Sequence, residues 1–440
     1  MPEIRDPVHG PIALSSQELR VVDHPVYQRL RNVKQLGFAE MVFPGATHNR
    51  YLHGLGTMHL AGRAFDSVFE GSGWLAGSDR VRLRQTVRLG ALLHDVGHPP
   101  LSHTLESILP HLSAVPLDHR GDCPDRQASH EDMTLTLITK SDLADVIRDS
   151  FAEEGISPEA VAGLVSRDLP VPAAAYSAGA RNLRPLLSQL VSSEIDVDRM
   201  DYLSRDAFFT GTTYGRFDRD WLLGSLTHHE DGEGNVSLGL HGRAIYSFED
   251  FLLSRYHMFL MVYFHQRTNA YDRMLLRFFD TLETPVVLPG DSEGYLQWDD
   301  PAIYAILRGN HDNIWARRIL TRRPIRRVLD LKGERVAELR PLVEDGLKSA
   351  GIEAEWMTSK GVLSKYHGKR DDPMSRIHVA FDSHSGREGT LPLEQATDLF
   401  SRYRDPTILL RLYAVDADVA RARELVLQVL RDSESLDLLA

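Results

Sequence analysis

The 440-residue chain carries 62 acidic against 50 basic side chains, for a net charge of −12, with 42% hydrophobic and 25% charged residues. That length and balance suit a folded protein of two or three domains, and the negative surface gives no support to nonspecific nucleic-acid binding. The lone Cys123 excludes an intrachain disulfide and a thiolate metal site, which makes cytoplasmic residence the simplest expectation.

The opening MPEIRDPVHG has no apolar signal core, and no run approaches the roughly 20 apolar residues that span a bilayer, so neither secretion nor a membrane partner is expected. Its turn formers predict a short extended segment or hairpin, followed by a helix capped from Ser15 or Ser16. Helical spacing predicts a second helix over Pro25 to Leu36, a loop over Phe43 to Arg50, a helix over Tyr51 to Phe69, and a central apolar helix over Val81 to Val96. Ser102 opens a short helix to about Leu109, and Ala114 to Gln127 reads as a surface loop. Further helices are expected over His130 to Thr139, Ala144 to Ala152, Pro158 to Ser166, Pro185 to Phe209 and, after a hairpin at Asp231 to Leu240, Ile245 to Thr284.

Past Arg323-Pro324 the texture changes. Val328 to Leu331, Gly351 to Trp356 and Ile377 to Phe381 are strand-like, with a helix over Pro341 to Ala350. The last sixty residues read as amphipathic helix over Leu393 to Arg402 and Asp418 to Leu430. The expected organisation is a mainly helical core, residues 1–324, and a smaller mixed α/β C-terminal lobe, residues 325–440.

Of 20 histidines, many fall between His48 and His130. His94-Asp95 stands at the end of the apolar run LGALLHDVGHPPLSH, where two adjacent ionisable groups are costly unless paired or bound to metal. The alternative is that His94 fills the core and Asp95 closes the helix end. In SSEIDVDRMDYLSRD, Asp198, Tyr202 and Asp206 recur every four residues and share a helix face, whereas Asp196 and Asp201 fall on others. His53, on the preceding helix, is placed to add a ligand from a separate helix.

His53, His94-Asp95 and Asp198 resemble the H…HD…D signature of the HD-domain metal-dependent phosphohydrolases. DPVHGPI, PVYQRLRNVKQLG, VFPGATHNRYLHGLG, HDVGHPPLSH, His130-Glu131 and IDVDRMDYLSRD occur in the order seen in its deoxynucleoside triphosphate (dNTP) triphosphohydrolase branch, over roughly residues 4 to 265. The resemblance implies a helical HD-domain phosphohydrolase core holding one divalent or transition metal ion on His53, His94, Asp95 and Asp198. Ligand type leaves Mn, Fe, Zn, Mg and Ni open, and a further Mg could arrive with the nucleotide. It implies cleavage of a dNTP to a deoxynucleoside and tripolyphosphate, helped by a metal that polarises a phosphoryl oxygen and activates water.

His98 and His103 match family positions that contact phosphates, and His130, with Glu131 beside it, one proposed for acid catalysis. Arg50 and Arg199 can hold triphosphate oxygens through charge-assisted hydrogen bonds, Arg199 at a position that is often Lys so that a forked contact replaces a point charge, while Arg255, Tyr202, Asp206 and Tyr263 match positions around phosphates, sugar and base, with Gln35 at the sugar 3′-hydroxyl. Phe259 departs from a His often found there. Asp23, Gln28 and Arg31 resemble residues that read a guanine nucleotide activator at a subunit interface, Arg243 and His265 match a second regulatory block, and Met261 and Gln266 replace basic residues in it. A homo-oligomer, dimer or tetramer, follows as an expectation. The competing expectations are an HD-domain enzyme acting on nucleoside monophosphates, cyclic nucleotides or nucleic-acid ends, and a nucleotide sensor without turnover.

Overall fold

The computed structural model describes residues 2–118, 125–332, 336–361, 376–381, 389–402 and 407–433, so Cys123 and part of the loop expected over Ala114 to Gln127 lie outside it. The chain opens on an antiparallel hairpin, β1 (Glu3–Asp6) and β2 (Gly10–Ala13), then α1 (Ser16–Val22) with a reciprocal Ser15/Glu18 cap. The helix expected to Leu36 is only α2 (Pro25–Gln28) followed by a 3-10 turn to Asn32. The chain is then drawn extended, because Val33 and His48 carbonyls accept from the Arg50 and Gln35 amides.

α3 (Arg50–Val68) is the central helix and packs on α4 (Gly77–Leu93). Its glycines permit that approach: a Cβ on Gly54 would lie 2.9 Å from the Leu92 carbonyl oxygen. α5 (His130–Lys140), α6 (Leu143–Ser150) and α7 (Pro158–Val165) follow, then the short β3 (Ser177–Ala178) and β4 (Arg181–Asn182) pair. The helix expected over Pro185 to Phe209 is two, α8 (Arg184–Val191) and α9 (Val197–Thr210), because Asp196 caps α9 through the Arg199 amide at 2.8 Å.

After α10 (Arg219–Leu223) the hairpin expected over Asp231 to Leu240 begins earlier, as β5 (Leu226–Glu230) and β6 (Val236–His241), with Asp231 to Asn235 forming the turn. α11 (Ile245–Met258) runs into a π-turn at Phe259–Tyr263 and then α12 (Gln266–Asp280), so the single long helix of the sequence pattern is interrupted beside the cavity described below. α13 (Ser292–Leu296) packs toward α5, while α14 (Asp300–Gly309) and α15 (Ile314–Leu320) complete a helical layer on α12.

The C-terminal region holds a three-stranded antiparallel sheet, order β7-β11-β8, from β7 (Arg326–Lys332), β8 (Ala354–Gly361) and, later in the chain, β11 (Thr407–Ala414). One face buries Val328, Leu331, Leu410 and Leu412 against α16 (Val336–Ser349) and α19 (Val419–Asp432). β11 is its central strand, within a stretch where the sequence pattern suggested helix alone. β9 (His378–Phe381) joins the other sheet, parallel to β6, with β10 (Gly389–Pro392) outside it before the short α17 (Leu393–Ala396) and α18 (Leu399–Arg402). The fold is thus a mainly helical core with a smaller α/β C-terminal lobe. Among the described residues no helix is long and apolar enough to cross a membrane.

Candidate metal centre and cavity

The metal-ligating pair is set by where α4 stops. The helix ends at Leu93 rather than Val96, His94 is its C-cap, and Asp95 lies in the following turn. Gly97 explains the stop: a Cβ there would meet the Thr134 backbone nitrogen at 2.2 Å, so the chain turns to pass directly against α5. His53 comes from the first turns of α3, and Asp198 from the first turn of α9, where the positive helix end favours an ionised carboxylate.

These four side chains converge. His53 Nε2 lies 3.0 Å from Asp198 Oδ1 and 3.6 Å from Asp95 Oδ2, while His94 Nε2 lies 3.4 Å from Asp95 Oδ1 and 3.5 Å from Asp198 Oδ1. Each imidazole is fixed from behind: His53 Nδ1 faces Asp201 Oδ2 at 2.8 Å, and His94 Nδ1 faces the Ala91 carbonyl at 2.7 Å. A proton on both Nδ1 atoms leaves the Nε2 lone pairs directed at the carboxylates, and both Nε2 atoms are buried without a hydrogen-bond partner. Two orphaned imidazole nitrogens facing two carboxylates fit a divalent cation, and acceptors such as Asp201 and the Ala91 carbonyl behind the rings are the usual outer support of such ligands.

The electrostatics agree. Burial alone would lower the His53 pKa, but Asp198 and Asp201 overcome it and raise it to about 10. Burial likewise works against the Asp95 and Asp198 carboxylates, yet Arg50 with His94 and His98 in the first case, and His53 with His94 in the second, hold both below the usual range. The pull of these acids on a positive charge is what a bound cation would satisfy.

Sequence reasoning missed the support beneath this centre. Asp201, fully buried, accepts from His53, from His9 Nε2 at 2.5 Å, and from Arg205 Nε and Nη2 at 2.8 and 2.9 Å. Arg205 also donates to Asp6 Oδ2 at 2.7 Å, so the N-terminal hairpin is tied to the ligand His53 through two side chains. Gly56 makes room for this network, since a Cβ there would fall 1.9 Å from Asp201 Oδ1.

Beside the centre opens a cavity of about 500 Å³. His98 approaches Asp95 Oδ1 at 3.3 Å and stacks on His130 with ring centroids 4.0 Å apart. Burial, then the Arg50 charge, pushes the His98 imidazole well below its ordinary value. His130 and His103 each direct Nδ1 at Glu106 Oε1, at 2.5 and 2.9 Å. Burial raises the Glu106 carboxyl, but these two hydrogen bonds outweigh it and hold the group well below the carboxylate range. Glu131, expected to assist His130, is exposed, and Glu106 occupies that place instead because the 3-10 turn Ser102–Ile108 folds back toward α5. The signal was available in HTLE, with an acid three residues after His103.

Arg50, Gln35, Tyr202, Asp206 and Tyr263 all line the cavity. Arg50 is buried, pairs with Asp95 and donates from Nε to Ser102 Oγ at 3.0 Å. Asp206 accepts from Tyr263 Oη at 2.7 Å and faces His48 Nε2 at 2.7 Å, a contact made by the π-turn that carries Tyr263. Arg199 and Arg255 are not among the described lining residues; both turn toward Glu194, at 3.1 and 3.8 Å. The buried Glu194 carboxylate draws both guanidinium groups, which stay close enough to the lining Tyr202 to act on it electrostatically.

Of the residues expected at a regulatory site, Asp23, Gln28 and Arg31 lie around Tyr51. Gln28 accepts from Arg31 Nε at 2.7 Å, Arg31 lies over the Tyr51 ring at 3.7 Å, and Asp23 is exposed at the end of α1. Arg243 lies over Trp221 at 4.9 Å and His265 caps α12, and among the described residues no hydrogen bond or ion pair joins either to the first group.

Residues 50–206 match the HD domain family model. An uncharacterized protein of Methanocaldococcus jannaschii is 33% identical over 63% of this chain and 49% of its own length. The deoxynucleoside triphosphate triphosphohydrolase SAMHD1 of Homo sapiens is 32% identical over 48% of this chain and 34% of its own. The chain thus spans half or less of the length of these curated relatives. A solved structure of a hypothetical protein from Aquifex aeolicus superposes with a TM-score of 0.73 at 25% identity, covering 97% of this chain and 99% of that one. Residues 50–206 thus match an HD domain, and the helical core with its candidate metal ligands fits a metal-dependent phosphohydrolase.

Proposed function

We propose that the protein hydrolyses dNTPs to deoxynucleoside and tripolyphosphate at this centre. The observation that carries the reading is the meeting of the two orphaned Nε2 atoms of His53 and His94 with Asp95 and Asp198 at the wall of a nucleotide-sized cavity. The partial likeness to SAMHD1, a deoxynucleoside triphosphate triphosphohydrolase, supports the choice of substrate.

His53, His94, Asp95 and Asp198 would hold the metal, which when bound supplies Lewis acidity toward the phosphoryl group. In the reaction a water oxygen joins the α-phosphorus, the bond from phosphorus to O5′ breaks, and O5′ must gain a proton. His130 is the assigned donor. Glu106 fixes its Nδ1 and leaves Nε2 for the leaving oxygen, while His98 stacks beneath and keeps the ring from rotating. His103 and Arg50 meet the phosphate charge, and Tyr202 and Tyr263 with Gln35 enclose the sugar. The same reading includes a guanine nucleotide activator near Asp23, Gln28 and Arg31, and a homo-oligomer.

One observation favours a smaller phosphoester: Arg199 and Arg255 are engaged by Glu194. Product identification by ion chromatography, with metal-free protein given Mn or Mg and each dNTP singly and mixed, separates the readings. Tripolyphosphate with deoxynucleoside supports the first. Orthophosphate from monophosphates, or ring opening of cyclic nucleotides, with no tripolyphosphate, replaces it. Turnover confined to mixtures supports the activator.

A further inference from the structure

The cavity has a second polar wall, away from the ligands of the metal centre in sequence and built by other elements. α12 contributes Thr268, Asn269 and Asp272, and β8 of the C-terminal lobe contributes Ser359. Most of this wall is internally satisfied. Asn269 Oδ1 accepts from Arg411 Nη1 at 3.0 Å, and its amide nitrogen donates to Ser359 Oγ at 3.3 Å.

Asp272 is different. Its one hydrogen bond among the described residues is from Thr104 Oγ1 to Oδ1, at 2.8 Å, and no described cation pairs with it. Two of the three basic residues of the same helix are committed to another acid, Arg273 Nε to Glu355 Oε2 at 2.8 Å and Arg277 Nε to Glu355 Oε1 at 2.7 Å. Burial pushes the Asp272 carboxyl up to about 7, and Thr104 offsets only part of it. Thr268 Oγ1, one turn earlier, is buried with no partner at all. A carboxyl without a counter-ion and a buried hydroxyl without a partner are both costly, and both belong to residues that line the cavity.

We propose that Asp272 and Thr268 form the base-reading end of the cavity and select a nucleobase that presents an amino group beside a ring N–H, guanine above thymine. The inference rests on the nucleotide reading of the metal centre. Guanine offers two adjacent donors, N1–H and the 2-amino group, to the free carboxylate oxygen and its neighbour, and O6 alongside them accepts from a hydroxyl such as that of Thr268. Thymine offers one ring N–H flanked by two carbonyl oxygens, which would face the carboxylate with like partial charge.

The test compares the full-length wild type with Asp272→Asn and Thr268→Val, in two measurements: kcat/KM for dGTP and dTTP with Mn, and calorimetric binding of deoxyguanosine and thymidine. Urea midpoints near wild type confirm that each variant is folded. Wild type is expected to favour the guanine ligand by at least about ten-fold, with Asp272→Asn removing most of that ratio and Thr268→Val a smaller part. dNTP hydrolysis with the same base order in Asp272→Asn as in wild type overturns the subsite and leaves the reaction standing. A guanine preference in binding that depends on Asp272, without triphosphate cleavage, upholds the subsite and removes the reaction. No nucleoside bound by wild type overturns the subsite.

Discussion

Replacing Asp201 with Asn separates the stability of the fold from the readiness of the metal centre. Its two oxygens each serve two donors: Oδ1 faces His9 and Arg205 Nη2, and Oδ2 faces His53 and Arg205 Nε. An amide presents one acceptor and one NH₂ group, so two of four interactions become donor against donor. Breaking a buried pair by removing one charge costs about 3–5 kcal/mol, and because Arg205 keeps Asp6 the lower end, about 3 kcal/mol, is expected. If the NH₂ group turns to His53, Nδ1 must become the acceptor and the proton moves to Nε2, which can then no longer ligate. Loss of such outer support costs about 10–100-fold in metal affinity. Urea unfolding of the metal-free protein reads the first effect, and competition with a chelator reads the second. A variant destabilised as expected that binds metal within two-fold of wild type would refute the tautomer argument and leave Asp201 a purely structural partner of Arg205.

Gly56→Ala tests the same network by volume: its Cβ would lie 2.4 Å from Arg205 Nη2 as well as against Asp201, and a loss of about 1–3 kcal/mol with reduced metal content by elemental analysis is expected, whereas full metal content would count against it. Glu106→Gln keeps an acceptor at Oε1 but loses the carboxylate charge that strengthens both hydrogen bonds from His103 and His130, so kcat should fall by about 10–100-fold with metal content unchanged, and steady-state assays showing wild-type kcat would remove Glu106 from the proton path. Asp300 accepts from the Leu101 and Lys34 amides at 2.7 and 3.1 Å, and burial raises its pKa to about 6. A raised folded-state pKa means the folded protein holds this proton more tightly. Its contribution is therefore full below about pH 4 and is lost as pH rises to about 6, and unfolding free energies across that window should lose this slope in Asp300→Asn. An unchanged slope would assign it to other groups.

The metal pair was legible because His94 and Asp95 stand together at the end of an apolar run, where two adjacent ionisable groups need a reason. Asp198 was found by its four-residue spacing to Tyr202 and Asp206, whereas Asp201 was set aside by the same rule. It faces α3 and the N-terminal hairpin rather than the cavity, and only packing reveals that His9, Asp6 and Arg205 meet it there. The break before α9 was readable from Asp196 as a cap, but the apolar residues on either side concealed it. β11 was missed for a related reason: Ile408-Leu409-Leu410 is a short apolar run that suits helix and strand alike, and its neighbours β7 and β8 lie more than 40 residues away in sequence. The placement of Arg199 and Arg255 depends on Glu194, a tertiary competition that no local pattern records.

The most direct test of the metal-centre account is phosphoester hydrolysis by metal-stripped protein as Mn or Mg is titrated back, with occupancy measured in parallel for wild type, His94→Ala and Asp198→Ala. Activity should rise in step with occupancy in the wild type and stay absent in both variants. Full turnover in the stripped protein, or in either variant without bound metal, would contradict it.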